Sequence, residues 1–104
     1  MTCRAEGFGA ILIKRLDKAI IDNDHVYSII TGTSSNSNGK GISLTTPDGD
    51  MQAETIRNAY SVAKRQPKDA FFVELHATGT PVGDPIEVNA AGNVFSVGRD
   101  SVLR

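Results

Sequence analysis

Three short apolar runs alternate with segments of helical periodicity, and this alternation limits the folds open to the chain. Residues 8–13, 26–33 and 71–75 are brief and rich in β-branched or aromatic side chains, a composition typical of strands. The runs at 8–13 and 71–75 are apolar at almost every position, which favours strands covered on both faces. We therefore expect an α/β layer structure, in the order strand, helix, strand, helix, strand, loop, helix.

The segments between these runs carry the sequence marks of helices. Residues 16–22 have apolar side chains at helical spacing, and an Asn-Asp pair closes that segment as a turn. A second helix follows Asp48 or Asp50, either of which can cap it, and we expect Pro67 to end it. Its predicted apolar stripe consists of Ile56, Ala59, Tyr60 and Ala63. A third helix has Pro85 in its first turn. Its apolar face carries Ile86, Ala90 and Val94, with Val97 one turn beyond.

Composition and charge exclude several classes of function. The 104 residues are 39% hydrophobic and 22% charged, as in an ordinary globular protein. Eleven basic and twelve acidic residues leave a net charge of −1, so there is no basic field for nucleic acid or a membrane surface. The lone Cys3 excludes an internal disulfide. No secretory signal is expected at the start of the sequence, and the longest apolar stretch is too short to cross a bilayer. We expect a cytoplasmic protein with neither nucleic-acid nor membrane partners.

The loop that starts at His76 contains the best candidates for catalytic and ligand-binding residues. It follows a predicted strand, at the end of an open α/β sheet where ligands usually bind. Thr78 and Thr80 can hydrogen-bond a polar ligand, while Gly79 and Gly83 allow the backbone to approach closely. A neutral imidazole N–H suits the stabilisation of an oxyanion on a carbonyl group. His76 is therefore the candidate catalytic residue, and the two threonines are candidate substrate-binding residues.

Other interpretations of these polar residues stay open on residue type alone. His76 could instead satisfy a buried hydrogen bond at a strand end. A metal site built from His76, Asp84 and Glu87 fits no standard ligand spacing, so we expect no metal. Both acids suit the first turn of a helix, where the dipole favours negative charge. His25 follows Asp24 in a turn and is expected to be a solvated surface residue.

Residues 76–85 resemble the signature of the ketosynthases of the thiolase superfamily. Those enzymes carry the motif His-Gly-Thr-Gly-Thr-x-x-Gly-Asp-Pro, and the chain matches every specified position except Ala77, where Gly is commoner. Residues 4–9 are similar to the family's Arg-x-Glu-Gly-Phe-Gly segment. Residues 32–39 are similar to its Gly-Thr-x-x-Asn-x-Asp-Gly loop, with Asn38 in place of Asp. Further matches are Gly41, Ile42, Pro47 and Gln52.

The resemblance implies roles for the candidate residues. Ketosynthases of polyketide synthases join acyl and malonyl thioesters by decarboxylative Claisen condensation, with one cysteine and two histidines. His76 matches the first of these histidines. Thr78 and Thr80 match the threonines that bond the phosphopantetheine arm of the acyl carrier protein. The resemblance implies no directly bound cofactor, and a homodimer for the complete domain.

Two parts of the family's catalytic machinery have no match in the chain. The family's nucleophile lies in an Ala-Cys-Ser-Ser type segment and its second histidine in a Gly-His segment, and neither occurs here. Cys3 corresponds to a position well after the nucleophile. The resemblance therefore implies that residues 1–104 are a partial ketosynthase domain. They would span the end of the first half and the start of the second half of the layered αβαβα fold. The alternatives are the ketosynthase of a fatty acid synthase, or a truncated product without catalytic activity.

Overall fold

The computed structural model describes residues 6–37 and 46–103. Its helices are α1 (Leu16–Ile21), α2 (Gly49–Ala63) and α3 (Gly83–Phe95), with a short 3-10 helix at Pro67–Asp69 between α2 and α3. The three predicted helices are thus confirmed. The predictions that fall outside the described residues concern Cys3, Arg4, Ala5, Asn38, Gly39, Gly41 and Ile42.

Helix α1 ends in the predicted turn. Asn23 adopts a left-handed φ of 56°, which reverses the chain after the helix. The Lys14 ammonium then lies 2.5 Å from a carboxylate oxygen of Asp22 and 2.5 Å from one of Asp24. Hydrogen bonds to Asp22 and then Asp24 raise the pKa of Lys14 above its usual value. A cation bonded to two acids therefore holds the ends of this short helical segment together.

The start of α2 is fixed by Asp48 rather than by Asp50. One carboxylate oxygen of Asp48 accepts the N–H of Asp50 at 2.9 Å and that of Met51 at 3.1 Å. These are two of the four N–H groups that a helix N-terminus leaves without an intrahelical partner. The sequence allowed either acid to be the N-cap, and the structure shows that Asp48 is the N-cap.

The end of α2 corrects the prediction that Pro67 terminates it. The helix ends at Ala63, and Lys64 adopts a left-handed φ of 53°. The Lys64 N–H donates to the Ser61 carbonyl and the Arg65 N–H to the Tyr60 carbonyl, both at 3.1 Å. This pair of bonds is the Schellman motif, which satisfies the last carbonyls of a helix. The backbone turn thus ends α2 before Pro67, which instead begins the 3-10 helix.

Helices α2 and α3 pack against each other and form the core. The core consists of Ala53, Ala90 and Val94, with Ile56 packed against them. At the far end, Tyr60 and Phe95 meet edge to face, with ring centroids 5.6 Å apart. The predicted face of α3 therefore lies inward, since Ala90 and Val94 are buried. The predicted stripe of α2 faces α3 through Ile56 and Tyr60, which are partly buried. Val97 follows the end of α3 and is exposed.

The three predicted strands are not formed within residues 6–37 and 46–103. Phe8 and Leu12 of the first run are essentially fully exposed, and Phe71 and Phe72 of the third run are more than half exposed. A strand needs a hydrogen-bonded neighbour, and a strand apolar on both faces also needs a covering layer on each. The strand prediction is therefore wrong for the chain by itself, since the described residues leave these apolar side chains without a covering layer on both faces.

Among the described residues, no helix has both the length and the apolar character to span a membrane.

Candidate functional site

Two carboxylates of α3 hold the loop that carries His76. One carboxylate oxygen of Glu87 accepts the backbone N–H of His76 at 2.6 Å, and the other accepts that of Ala77 at 2.9 Å. The two oxygens of Asp84 accept the N–H groups of Gly79 at 3.1 Å and Thr80 at 3.2 Å. We call these four bonds the carboxylate clamp. It fixes the course of the loop over residues 76–80.

The positions of the two acids in α3 explain why two carboxylates of one helix can both bond the loop. Asp84 and Glu87 are three residues apart, a spacing that places them on the same side of a helix. Asp84 lies in the first turn of α3, where the dipole stabilises negative charge, whereas Glu87 lies beyond the first turn, which corrects the expectation that both acids belong to it. The Asp84 N–H also donates to the Thr80 carbonyl at 3.2 Å. Loop and helix are therefore bonded in both directions.

The clamped loop contains two left-handed residues. Ala77 has a φ of 41° and Gly79 a φ of 79°. Gly adopts such angles freely, whereas a residue with a Cβ is disfavoured there by about 1–2 kcal/mol. This geometry gives a physical reason why the ketosynthase motif has Gly where this chain has Ala77. Ala77 of this chain is nevertheless left-handed, and its backbone N–H donates to Glu87.

Gly83 is required by close packing rather than by its backbone angle. A Cβ at this position would collide with the hydroxyl oxygen of Thr80. The Thr80 side chain therefore lies directly against the first turn of α3. The expectation that Gly83 permits a close approach is confirmed.

The structure places the three predicted site residues on this one loop. His76 is exposed, and its imidazole makes no hydrogen bond within residues 6–37 and 46–103. Thr78 and Thr80 are half-buried. The alternative role for His76, satisfying a buried hydrogen bond, needs a buried imidazole. The geometry instead presents an uncommitted imidazole on a fixed backbone.

A cavity of about 540 Å³ lies beside the clamp, between α2, α3 and residues 73–75. Its lining is largely apolar and includes Tyr60, Leu75 and Phe95, together with Glu87. Gln52 also lines it, and the side-chain oxygen of Gln52 is buried without a partner in the described part of the chain. Glu87 therefore joins two features, the His76 loop and this cavity.

The remaining candidate residues are apart from this loop. His25 is exposed and meets Tyr27 edge to face, with centroids 4.4 Å apart, which confirms its expected surface position. Cys3 lies outside the described residues. Asp84 and Glu87 were considered as metal ligands, but their oxygens accept the N–H bonds of the clamp.

Sequence reasoning missed the clamp. It assigned Asp84 and Glu87 only to a favourable interaction with the helix dipole. The available signal was a loop rich in Gly and Thr, with N–H groups that need acceptors, immediately before a helix with acids at positions three apart. An accounting of backbone donors would have suggested that the acids bond the loop.

Known proteins resemble this chain in sequence and in structure. The family described as Beta-ketoacyl synthase, C-terminal domain, matches residues 27–103. A reducing polyketide synthase of Botryotinia fuckeliana is 47% identical over 97 residues, which cover 93% of this chain and 4% of that protein. A highly reducing polyketide synthase of Neurospora crassa is 51% identical over 92 residues, which cover 88% of this chain and 4% of that protein.

A solved structure extends the likeness to the course of the backbone. The ketosynthase from module 6 of the bacillaene synthase of Bacillus subtilis 168 is 40% identical, with a TM-score of 0.77, over 85% of this chain and 16% of that chain. This likeness confirms the expected partial thiolase-like α/β fold, although the chain's own described residues form only its helices. The chain spans a small part of each of these relatives. Since the family match covers most of its length, the chain belongs to the β-ketoacyl synthase family and matches the C-terminal domain of that family over residues 27–103.

Proposed function

We propose that this chain contributes one wall of a polyketide synthase active site, where acyl and malonyl thioesters undergo decarboxylative Claisen condensation. The observation that carries the proposal is the uncommitted imidazole of His76 on a backbone held by four hydrogen bonds. The ketosynthase motif places the first catalytic histidine at this position. The relatives described above are polyketide synthases, which favours this activity over that of a fatty acid synthase.

The proposed role of His76 is to donate a hydrogen bond to the malonyl thioester carbonyl. The bond between the α-carbon and the carboxylate carbon of the malonyl group breaks, and carbon dioxide leaves. The electron pair of that bond stays with the α-carbon and forms an enolate. Negative charge then grows on the thioester oxygen, which the imidazole N–H stabilises more strongly than it does the ground state. The enolate carbon attacks the acyl thioester held on a cysteine, and the cysteine thiolate leaves. That cysteine and the second histidine belong to other segments of a complete ketosynthase.

Thr78 and Thr80 are proposed to bind the phosphopantetheine arm of an acyl carrier protein, which carries the substrate. Each hydroxyl can donate one hydrogen bond and accept others, as the amide groups of such an arm require. Both residues are half-buried on the loop that presents His76. The carrier arm and the carbonyl it delivers would therefore meet residues of the same loop.

The exposure of His76 sets a condition on this role. A hydrogen bond to a developing oxyanion is worth most in a site that excludes water. His76 is exposed among the described residues, so the cover must come from outside them. A complete domain, which we propose to be homodimeric, would supply it.

Replacement of His76 by Ala in a complete ketosynthase that contains this segment tests the proposal. We expect malonyl decarboxylation to fall by about 10²–10³, the usual effect of losing one oxyanion donor. Acyl loading of the cysteine should change much less, because it uses another nucleophile. His25→Ala is the matched control and should leave both half-reactions near the parental rates. Decarboxylation at the parental rate in His76→Ala would show that the role assigned to His76 is wrong.

A further inference from the structure

We propose that a pocket between α2, the 3-10 helix and α3 binds the phosphate group of a small molecule. The pocket has a volume of about 220 Å³, and its polar lining consists of Arg57, Gln66, Lys68 and Asn93. Arg57 belongs to α2, Lys68 to the 3-10 helix and Asn93 to α3, so the fold itself brings two cations together. The pocket lies at the end of α3 opposite the loop that carries His76. The site is therefore separate from the proposed catalysis.

The two cations of this pocket have no acidic partner in the described part of the chain. The ion pairs within residues 6–37 and 46–103 all lie in residues 14–24 and involve neither Arg57 nor Lys68. Asp69 follows Lys68 in sequence, but it lines a different pocket together with Arg65. Two like charges that share a pocket without a counter-ion repel each other, and a bound anion replaces this repulsion with attraction to both.

Two nearby sources of negative charge are too weak to neutralise the pocket. Arg57 also borders a second pocket, which Asp50 lines. Asp50 precedes Arg57 by two turns of α2, about 10 Å along the helix axis, which is about one Debye length at 0.1 M salt. The C-terminal end of α3 contributes only about half a negative charge from its dipole. The pocket therefore keeps a net positive charge.

The packing of Lys68 keeps its side chain at the pocket. A Cβ at Gly98, in the turn after α3, would lie 3.8 Å from Cδ of Lys68, so the aliphatic part of this side chain lies against that turn. Long cationic side chains commonly bury their stems in this way and leave the charged group accessible. Pro67, Val94 and Val97 supply the apolar part of the lining.

The donors and the size of the pocket specify the class of ligand. The side-chain amides of Gln66 and Asn93 each offer an NH₂ group, and a guanidinium such as that of Arg57 can donate two parallel hydrogen bonds to phosphate oxygens. Two cations match a phosphate dianion better than a carboxylate, which carries a single negative charge. A volume of about 220 Å³ lies below the roughly 300–1,000 Å³ of sites for drug-sized ligands. The pocket therefore suits a phosphate group with few further atoms.

Titration of the 104-residue chain with inorganic phosphate tests the proposal. The titration is made at low salt and about pH 8, where phosphate is mainly the dianion. The NMR signals of the Gln66 and Asn93 side-chain amides report on the pocket. We expect these signals to shift to saturation with a dissociation constant on the order of 1 mM, the weak end of the affinity scale. Glycerol phosphate should bind as tightly, and acetate at least about threefold more weakly, because it has one charge fewer.

Substitution of each cation separates this pocket from the general charge of the chain. Arg57→Gln and Lys68→Gln should each weaken phosphate binding by about threefold or more, which is the upper range for one exposed charge pair. Both side chains are exposed, so the helices should be retained, and circular dichroism checks this. Arg65→Gln is the matched control, since it removes the same charge from an exposed residue that lines another pocket. Its dissociation constant for phosphate should stay near the parental value.

Four results would overturn the proposal. The first is the absence of a saturable shift up to roughly 50 mM phosphate, far above the expected dissociation constant. The second is an equal loss of binding in Arg65→Gln, which would mean that only the net charge matters. The third is acetate binding as tightly as phosphate, which would contradict the ligand class. The fourth is a phosphoserine peptide binding more tightly than glycerol phosphate, which would assign the pocket to a protein and not to a small molecule.

Discussion

Residues 46–103 bury several of their apolar side chains, whereas residues 6–37 leave almost all of theirs exposed. In the first region, α2 and α3 bury Ala53, Ala90, Ala91, Val94 and Phe95. Arg99 also ties the chain after α3 back to the carbonyl of Ala70. In the second region only Ala19 is buried, while Phe8 and Leu12 are essentially fully exposed. The loop that carries His76 thus belongs to the region that supplies its own contacts, whereas residues 6–37 need surfaces from elsewhere.

The two regions meet at a narrow contact. A Cβ at Gly32 would collide with the backbone of Ala59 and Ala63, so the chain passes directly over α2 at this point. Nearby, the Asn36 side chain donates to the Met51 carbonyl at 2.7 Å. Residues 32 and 36 therefore contact α2, whereas the large apolar side chains of the run at 8–13 are exposed.

The strongest test of this contrast is catalytic. We expect the isolated 104-residue chain to show no condensing activity, because we propose that the nucleophilic cysteine lies in another segment of a complete ketosynthase, and covalent catalysis without a nucleophile loses the acyl-enzyme step. The assay incubates the chain with acyl and malonyl carrier proteins and measures the β-ketoacyl product. Product above a blank without protein would mean that the region around His76 is sufficient for chemistry as well as for its own structure.

A matched pair of phenylalanine substitutions tests the contrast in packing. Phe95→Ala removes a buried ring that contacts Tyr60, and such changes typically destabilise by about 3–5 kcal/mol. Phe8→Ala removes an exposed ring, so it should alter stability by only about 0.5 kcal/mol or less while reducing self-association. Helical circular dichroism in urea and light scattering of the 104-residue chain measure both effects. Equal losses of helicity would contradict the contrast.

The smallest expected effect concerns the cap of α2. Asp48→Ala leaves the N–H groups of Asp50 and Met51 without their acceptor and should destabilise α2 by about 1 kcal/mol. Asp48→Asn retains an acceptor oxygen and should lose much less. Urea titrations followed by circular dichroism compare the two variants. The same loss in both would show that charge, and not the cap bond, accounts for the effect.

The sequence predicted the helices better than the strands, and the reason is the range of the interactions involved. Caps and apolar stripes act within a few residues, so Asp48, Pro85 and the face with Ala90 and Val94 were sufficient to place α2 and α3. Strands require partners that are distant in sequence. The runs at 8–13 and 71–75 have strand composition, but neither forms a strand within residues 6–37 and 46–103.

The candidate site was predictable in its residue types and not in its geometry. The motif indicated His76, Thr78 and Thr80, because the chemistry of those side chains can be inferred from the sequence. The carboxylate clamp was missed because it depends on the direction of backbone N–H groups in a left-handed turn. That direction follows from the φ of Ala77, which residue type alone does not predict.

Amide hydrogen exchange in the 104-residue chain tests most directly whether the His76 loop is fixed by its own region. Relative to their intrinsic rates, we expect the amides of His76 and Ala77 to exchange roughly tenfold more slowly than those of residues 8–13, because only the former are bonded to Glu87. Glu87→Gln should remove this protection at the two amides and leave that of α2 and α3 largely intact. If His76 and Ala77 exchange as freely as residues 8–13 in the parental chain, the carboxylate clamp does not hold the loop and the account is contradicted.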